Sequence, residues 1–526
     1  MRFPFLLVFL ATSTLLPHSG GARGFSVLVF NVENVFDIDG EALFSDYRMP
    51  PEGEYSPALL LKKLEFTADT LAAIDDGRGP DIVLFQELER DRTPAGLRAN
   101  SRSWPRSLLK RYSDVTVEEM LTEPIDRDVR DLPSVAFLLK ALSDRGMEYP
   151  YVAIPAEEEI TDDMTAHINA TFSRFPIFSV EAYETQEARE ILVAEVEIGR
   201  DSLFVINNHW KSGASRPETE VDRVENARTV RGILDRILDK DPRADVLVGG
   251  DLNSYYDQIL LFPEMERTGI NSILGSQGDE AAVARGERDL YNLWFELPIG
   301  ERYTETWRDM KGTLMHILVT PGLYDDRGVR YVDNSFERIV LPGLNVDEWG
   351  RPLRFRFAGE GRGGSDHLPV LARFEKVDGD GSEIRIPEDP GRNSDQPGRI
   401  MLVDYDRARG GPEPRTAGEV LAKDPSEWGE FVGDLFHVSG KWAAWMPPSV
   451  ATGETVLEFY SPRPTVWARI GDRAIGDEVE FLAELQVWGG EYQWVVRDPT
   501  WLRPGDSPES GGRPQAAETQ ESDAAD

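Results

Sequence analysis

From residue 25 to 375, short runs of Val, Ile, Leu and Phe alternate with longer stretches whose apolar residues recur every three or four positions. The short runs predict buried strands at Phe25–Asn31, Asp81–Phe85, Val135–Lys140, Ile191–Glu197, Leu203–Asn208, Asp245–Gly250, His316–Thr320 and Leu368–Phe374. One helix is predicted from Pro57 to Asp75, with Leu61, Leu64, Ala68, Leu71 and Ala72 on one face. A second opens at Ser215, where Glu218 three residues on completes a capping box. It then lines up Val221, Val224, Ala227, Val230, Leu234 and Ile237. Residues 376–399 lose this patterning and turn to Asp, Gly, Pro, Ser and Glu, which reads as a linker. Patterning returns over 400–504 as short alternating runs such as Thr455–Tyr460 and Val479–Trp488. These predict a small β-rich domain holding seven of the twelve tryptophans. Residues 505–526 read as a disordered tail.

At the start, Met1-Arg2 precedes a nearly unbroken apolar run from Phe3 to Leu16, and small residues follow at Ser19–Ala22. This is the layout of a signal peptide over residues 1–23, and it implies a secreted or periplasmic protein with no transmembrane segment in the mature chain. The run is shorter than the ~20 residues that span a bilayer. Of the 526 residues, 94 are acidic and 57 basic, for a formal charge of −37, so affinity does not rest on a generally basic surface. The absence of cysteine excludes disulfides, zinc–thiolate sites and thiol nucleophiles. Six histidines remain, and each is informative.

The chemistry gathers where apolar strands end. Phe25–Phe30 runs into Asn31-Val32-Glu33-Asn34, and Asp81–Phe85 into Gln86-Glu87. Leu203–Ile206 runs into Asn207-Asn208-His209-Trp210-Lys211-Ser212, and Asp245–Val248 into Gly249-Gly250-Asp251-Leu252-Asn253. Gly363-Gly364-Ser365-Asp366-His367 leads into Leu368-Pro369-Val370. A single acid after a strand is ordinarily a turn residue; five polar strand ends together are not explained that way. The ordered pieces FNVEN, DIVLFQELE, INNHWKS, VGGDLNS and GGSDHLPV resemble the endonuclease/exonuclease/phosphatase superfamily over about Phe25–Glu375.

The resemblance implies an α/β domain over 24–375, a four-layer sandwich of two packed mixed sheets flanked by helices, with the site at one edge. By position it implies Glu87 as principal ligand of a divalent cation, magnesium foremost, with manganese or calcium as alternatives. Asn31, Glu33 and Asp366 complete the implied metal set. His209, Asp251, Asn253 and His367 are the implied catalytic residues, and Arg130 and Asn208 the implied phosphate contacts. His367 is the first choice of general base and Asp251 the rival. Arg189, just before a strand, is a further candidate for touching substrate. One position departs from the family: Met315 stands where an Asp usually pairs with the catalytic histidine, and Asp309 is a possible replacement. The expected activity is metal-dependent phosphodiester hydrolysis, with nucleic acid as first substrate. A phospholipid headgroup or small phosphate ester is the alternative, and a binding protein on a decayed nuclease scaffold the non-enzymatic one.

Overall fold

A computed structural model describes residues 24–49, 55–92, 103–156, 165–286, 288–356, 363–385, 397–405, 414–471 and 473–502. The expected signal peptide, part of the linker and the tail lie outside the described residues. Among those described, no helix is long and apolar enough to cross a membrane.

Two seven-stranded mixed sheets form the first domain. In one, Gly24–Val35 lies between Val370–Asp378, antiparallel, and Ile82–Glu89, parallel. In the other, Asp201–His209 runs parallel to Asp245–Asp251, which pairs antiparallel with Met315–Val319. The period-two alternation of a strand sorts its side chains between two cores. Val27 and Val29 pack with Leu192, Ala194, Leu247 and Ile317 in the core the sheets share. Leu28 and Phe30 point the other way, to Leu60, Leu64, Phe137 and Leu138 of the helices on that sheet's outer face. Helix Pro217–Leu238 covers the second sheet through Ala227, Val230, Ile233 and Leu234.

Several local expectations change. Val135–Lys140 is the middle of helix Ser134–Asp144, not a strand. The run is buried all round, so its pattern lacks the polar face that separates a helix from a strand. The helix expected to start with a capping box at Ser215 begins at Pro217, and its cap residue Arg216 makes no side-chain cap. Proline at the first helical position is pre-set for helical φ and needs no partner for an N–H. Val221 is exposed, and Ile233 and Leu238 take inward places instead. Strand Val370–Asp378 runs three residues past Glu375, and Arg385 N–H still bonds to Tyr324 O.

In the second domain, strands Leu435–Trp445, Pro448–Thr452, Thr455–Tyr460, Glu491–Val495 and Glu478–Trp488 close on themselves, the last pairing back to the first. Trp442, Trp494 and Trp501 are buried in its core with Phe436, Phe459 and Phe481. Met401–Leu402 pairs with Met310–Gly312 of the first domain, so the two units share a small sheet.

A chain of buried ion pairs joins them. Asp309 Oδ1 accepts from Tyr405 Oη at 2.7 Å and from Arg497 at 2.7 Å; Arg497 Nε reaches Glu484 at 2.6 Å. Glu484 also receives Arg351 at 2.6 Å, and Arg351 is held by Asp347 at 2.6 Å. Burial alone would push Glu484 up, but Arg351 and Arg497 hold its carboxyl down at about 2. Removing this charge leaves two guanidinium groups buried without their shared partner. Glu484→Gln is therefore expected to cost about 3–5 kcal/mol in denaturant unfolding. Because its folded value lies below the ordinary 4.5, its contribution is complete above that pH and is lost as the pH falls towards about 2. The variant's unfolding free energy should accordingly be less sensitive to acid over that window than the parent's.

Candidate active site

Parallel pairing brings the polar strand ends to one edge. Asn31 lies in register with Gln86, which places it beside Glu87 at the ends of Gly24–Val35 and Ile82–Glu89. His209 lies in register with Asp251, each the last residue of its strand. The backbone is strained where these ends turn: Glu33, Asn34, Glu87 and Asn253 have φ of 47°, 59°, 64° and 45°. Positive φ on residues with side chains is held by surrounding structure, and it concentrates at functional sites. Two glycines are dictated by close approach. A Cβ at Gly250 would lie 2.1 Å from Asn208 O, and one at Gly364 would lie 1.8 Å from the Phe66 ring.

The centre of the cluster is Asp251. Its Oδ1 accepts from Asn253 N–H at 2.9 Å and its Oδ2 from Asn31 Nδ2 at 3.1 Å. The same Asn31 amide donates to Glu87 Oε1 at 3.0 Å, while Glu87 Oε2 accepts from Asn34 N–H at 3.0 Å. His209 Nε2 stands 3.7 Å from Asp251 and 3.8 Å from Glu87; His367 Nε2 stands 3.6 Å from Asp251 and 3.6 Å from Asp366. These gaps exceed hydrogen-bond length. The Nδ1 atoms of both histidines are buried without a partner. His209, Asp251 and His367 are recessed, and Asp366 is the more exposed.

Electrostatics push the two imidazoles apart. Burial, and then the Arg189 charge, hold His209 well below the ordinary histidine value. Burial also opposes charge on His367, but Asp366, Asp251 and Glu305 outweigh it and raise it to about 9. Burial raises Asp251, while His367 pulls it back. Glu87 is held well below the carboxylate range despite burial, by His167, His209 and Arg189 and by the Asn31 hydrogen bond. The oxygen donors of Glu87, Asn31 and Asp366 suit a hard divalent cation.

Some predicted residues do not join this cluster. Glu33 accepts from Phe355 N–H at 2.9 Å and pairs with Arg354 at 3.2 Å, so it meets Asp366 only through Arg354, which is 3.2 Å from both. The Asn208 amide is spent on the scaffold: its Nδ2 donates to Ile206 O and Gly249 O, and its Oδ1 accepts from Trp210 Nε1. Arg130 sits in the four-residue helix Arg127–Arg130 and pairs with Glu123 at 3.7 Å rather than with the cluster. Asn253 joins the cluster through its backbone N–H to Asp251, while its side-chain amide donates to Trp210 O at 3.1 Å. Arg189 lies 3.4 Å from His167 Nδ1, behind Glu87. His316 is a scaffold residue, bonded through Nε2 to Ser254 O at 2.8 Å.

Asp309 does not replace the missing family acid, since it is committed to Tyr405 and Arg497. Met315 packs in the core between the sheets, and the carboxylates around His367 come from Asp251, Asp366 and Glu305. Three residues near the site carried no motif. Glu305 follows Tyr303-Thr304, and Arg354 lies in the alternating Arg351–Arg356 run. Lys63, on the buried face of helix Pro57–Ala72, donates to Gly364 O. Burial lowers Lys63 to about 8 against the pull of Glu33, Asp366 and Glu87.

Beyond Asp366 a cleft of about 1130 Å³ runs between the two domains. Glu305, Trp307, Arg354 and Arg356 line it from the first domain, and Arg415, Asp434 and Gln486 from the second. Trp307 is 49% exposed there, with the Arg308 guanidinium 5.7 Å from its ring centre.

A sequence model of the Endonuclease/Exonuclease/phosphatase family matches residues 166–376. No curated protein matches the chain. Among solved structures it is similar to TDP2 from Caenorhabditis elegans, at 16% identity over 67% of this chain and 75% of that one, with a TM-score of 0.36. A family protein from Leptotrichia buccalis shares 13% identity over 66% and 98% of the two chains, also at 0.36. Beta toxin from Staphylococcus aureus shares 15% over 66% and 99%, again at 0.36.

Because Met315 is fully buried among apolar side chains, an acid there would be desolvated without a partner. Met315→Asp is expected to lower the melting temperature and to leave any phosphodiesterase activity no higher than the parent's. Thermal unfolding and a rate assay on the same preparation check this, and a faster variant would show that His367 lacks a carboxylate partner.

Proposed function

We propose that the chain, whose residues 166–376 match a sequence model of the endonuclease/exonuclease/phosphatase family, is a divalent-metal-dependent phosphodiesterase whose general base is Asp251. The observation that carries this reading is the placement of Asp251 between two imidazoles of opposite charge preference, with both its oxygens already oriented. Glu87, Asn31 and Asp366 would hold the cation, magnesium foremost. When bound, it neutralises charge on the phosphate.

The first-choice base of the sequence reading, His367, is better suited to the opposite role. Its surrounding carboxylates keep it protonated at neutral pH, so it arrives as an acid. Asp251 takes a proton from the attacking water as the new P–O bond forms. His367 gives its proton to the leaving oxygen as the old P–O bond breaks. The two side chains are 3.6 Å apart, and passing the proton from Asp251 to His367 restores the starting state. His209, neutral, donates an N–H to a non-bridging oxygen. Asn31 fixes Asp251 and Glu87 relative to each other throughout.

Nucleic acid is the substrate this reading favours. Trp307 and the arginines of the cleft offer a flat face and phosphate-binding groups close to the cluster. The overall charge of −37 restricts such contact to the cleft itself. The apolar Phe3–Leu16 run supports export to a secreted or periplasmic setting.

The test is the purified chain against plasmid DNA, RNA, bis-p-nitrophenyl phosphate, sphingomyelin and inositol phosphates, with magnesium, manganese, calcium or chelator. Cleavage of nucleic acid is expected with metal and not with excess chelator; preferential cleavage of sphingomyelin or inositol phosphates would transfer the reading to those esters. Asp251→Asn and His367→Asn should each lower kcat by about 10²–10⁴-fold. Since the acid form of His367 is the working one, the rate should fall as the pH rises through about 9. A rate that instead climbs through that range would restore His367 as the base.

A further inference from the structure

Away from the catalytic edge, three acids from separate segments converge. Glu280 stands on helix Glu280–Arg285, Glu296 ends the turn Leu293–Glu296, and Asp333 follows strand Arg327–Tyr331. One oxygen from each lies within 4.8 Å of the others. Glu280 and Glu296 are buried, at 0% and 7% exposure, and Asp333 opens to solvent. Glu280 Oε1 accepts from Tyr324 Oη at 2.8 Å. Glu296 Oε2 accepts from Tyr331 Oη at 2.6 Å and from Phe336 N–H at 3.3 Å.

The remaining Glu296 oxygen, Oε1, is buried and has no hydrogen-bond partner among the described residues. The same holds for the Tyr291 hydroxyl, whose ionisation is opposed by burial and then by the charges of Glu296, Glu280 and Asp333. Among the described residues no Lys, Arg or His pairs with Glu296. A buried carboxylate facing two others costs several kcal/mol unless a cation or a proton intervenes. Calcium binds oxygen at 2.3–2.6 Å, so donors on opposite sides of one ion are at most about 5 Å apart. The separation observed falls inside that limit. The donors are all hard oxygens, three carboxylates and a phenol in an irregular array, with solvent access through Asp333. That array suits calcium, which tolerates irregular geometry and fills its remaining positions with water, better than octahedral magnesium.

We propose that Glu280, Glu296 and Asp333 form a calcium site, separate from the catalytic cluster, that ties helix Glu280–Arg285 and the turn after Leu290–Asn292 to the strand pair at the sheet edge. Its role is structural: a bound ion replaces repulsion among three acids by attraction, and so stabilises the folded chain by mass action.

The test uses the full chain and separates this site from the catalytic one. Thermal unfolding is followed in millimolar calcium chloride and in chelator, for the parent, Glu87→Gln and Glu296→Gln. Calcium is expected to raise the melting temperature of the parent and of Glu87→Gln alike, and not that of Glu296→Gln. Terbium excited through the neighbouring tyrosines should luminesce, be displaced by calcium, and lose its signal in Glu296→Gln. Should Glu296→Gln fold poorly, the exposed Asp333→Asn is expected to weaken calcium binding at least about tenfold. A calcium shift that vanishes in Glu87→Gln and survives in Glu296→Gln would overturn the proposal. So would a parent chain whose melting temperature is the same in calcium chloride and in chelator, because the acids would then be sharing a proton.

Discussion

The side-chain amide of Asn31 links the two sheets at the point where their polar ends meet. Its NH2 group donates to Glu87 on its own sheet and to Asp251 on the other. Everything else at the edge is arranged around those two carboxylates. The chain turns through left-handed φ at Glu33, Asn34, Glu87 and Asn253, and the backbone N–H groups of Glu33, Asn34 and Asn253 are each given to a side-chain oxygen of the cluster. Strain of this kind persists only if the surrounding structure over-determines it, and the rigid in-register strands supply that support. The electrostatic consequence is a division of labour between chemically identical side chains. His367 is ringed by acids, whereas His209 is buried near a guanidinium.

The second domain is part of the same construction. Its core is filled by aromatic side chains, and its β-ring could in principle stand alone. The ion chain from Asp347 to Asp309 nevertheless passes twice across the boundary, and Trp349 of the first domain packs against Tyr405 and Trp501. The result is a cleft with one wall from each unit, starting at Asp366.

What the amino-acid sequence made legible follows from how local each feature is. The strand ends carrying Glu87, His209, Asp251 and His367 were readable, because an apolar run followed at once by acids, amides and imidazoles leaves few bland explanations. Neighbouring positions were harder. Asn208 and His209 are adjacent and of similar polarity, yet strand alternation sends one amide into the scaffold and the other side chain to the site. Arg130 was assigned by analogy with a strand that proved to be helix Ser134–Asp144, so its neighbourhood was misplaced. Lys63, Glu305 and Arg354 were out of reach for another reason. Lys63 meets its partner Gly364 across 301 positions of chain, and Arg354 meets Glu33 across 321, which no local pattern encodes. The same limit hid the partnership of Asp309 with Arg497, which decided that this acid serves the domain boundary.

The charged seam between the domains also bears on how such a chain can be rearranged. A boundary made of apolar side chains tolerates being parted, because each half can repack or recruit a different neighbour. Here Glu484 is a single negative charge serving arginines on both sides, and Asp309 a second. Exchanging either domain for an unrelated one would leave Arg351 without Glu484 on one side, or Arg497 without Asp309 on the other. The two units are therefore constrained to change together: the catalytic domain and its companion behave as one heritable module, and variation in what the cleft accepts is confined to the side chains that face it.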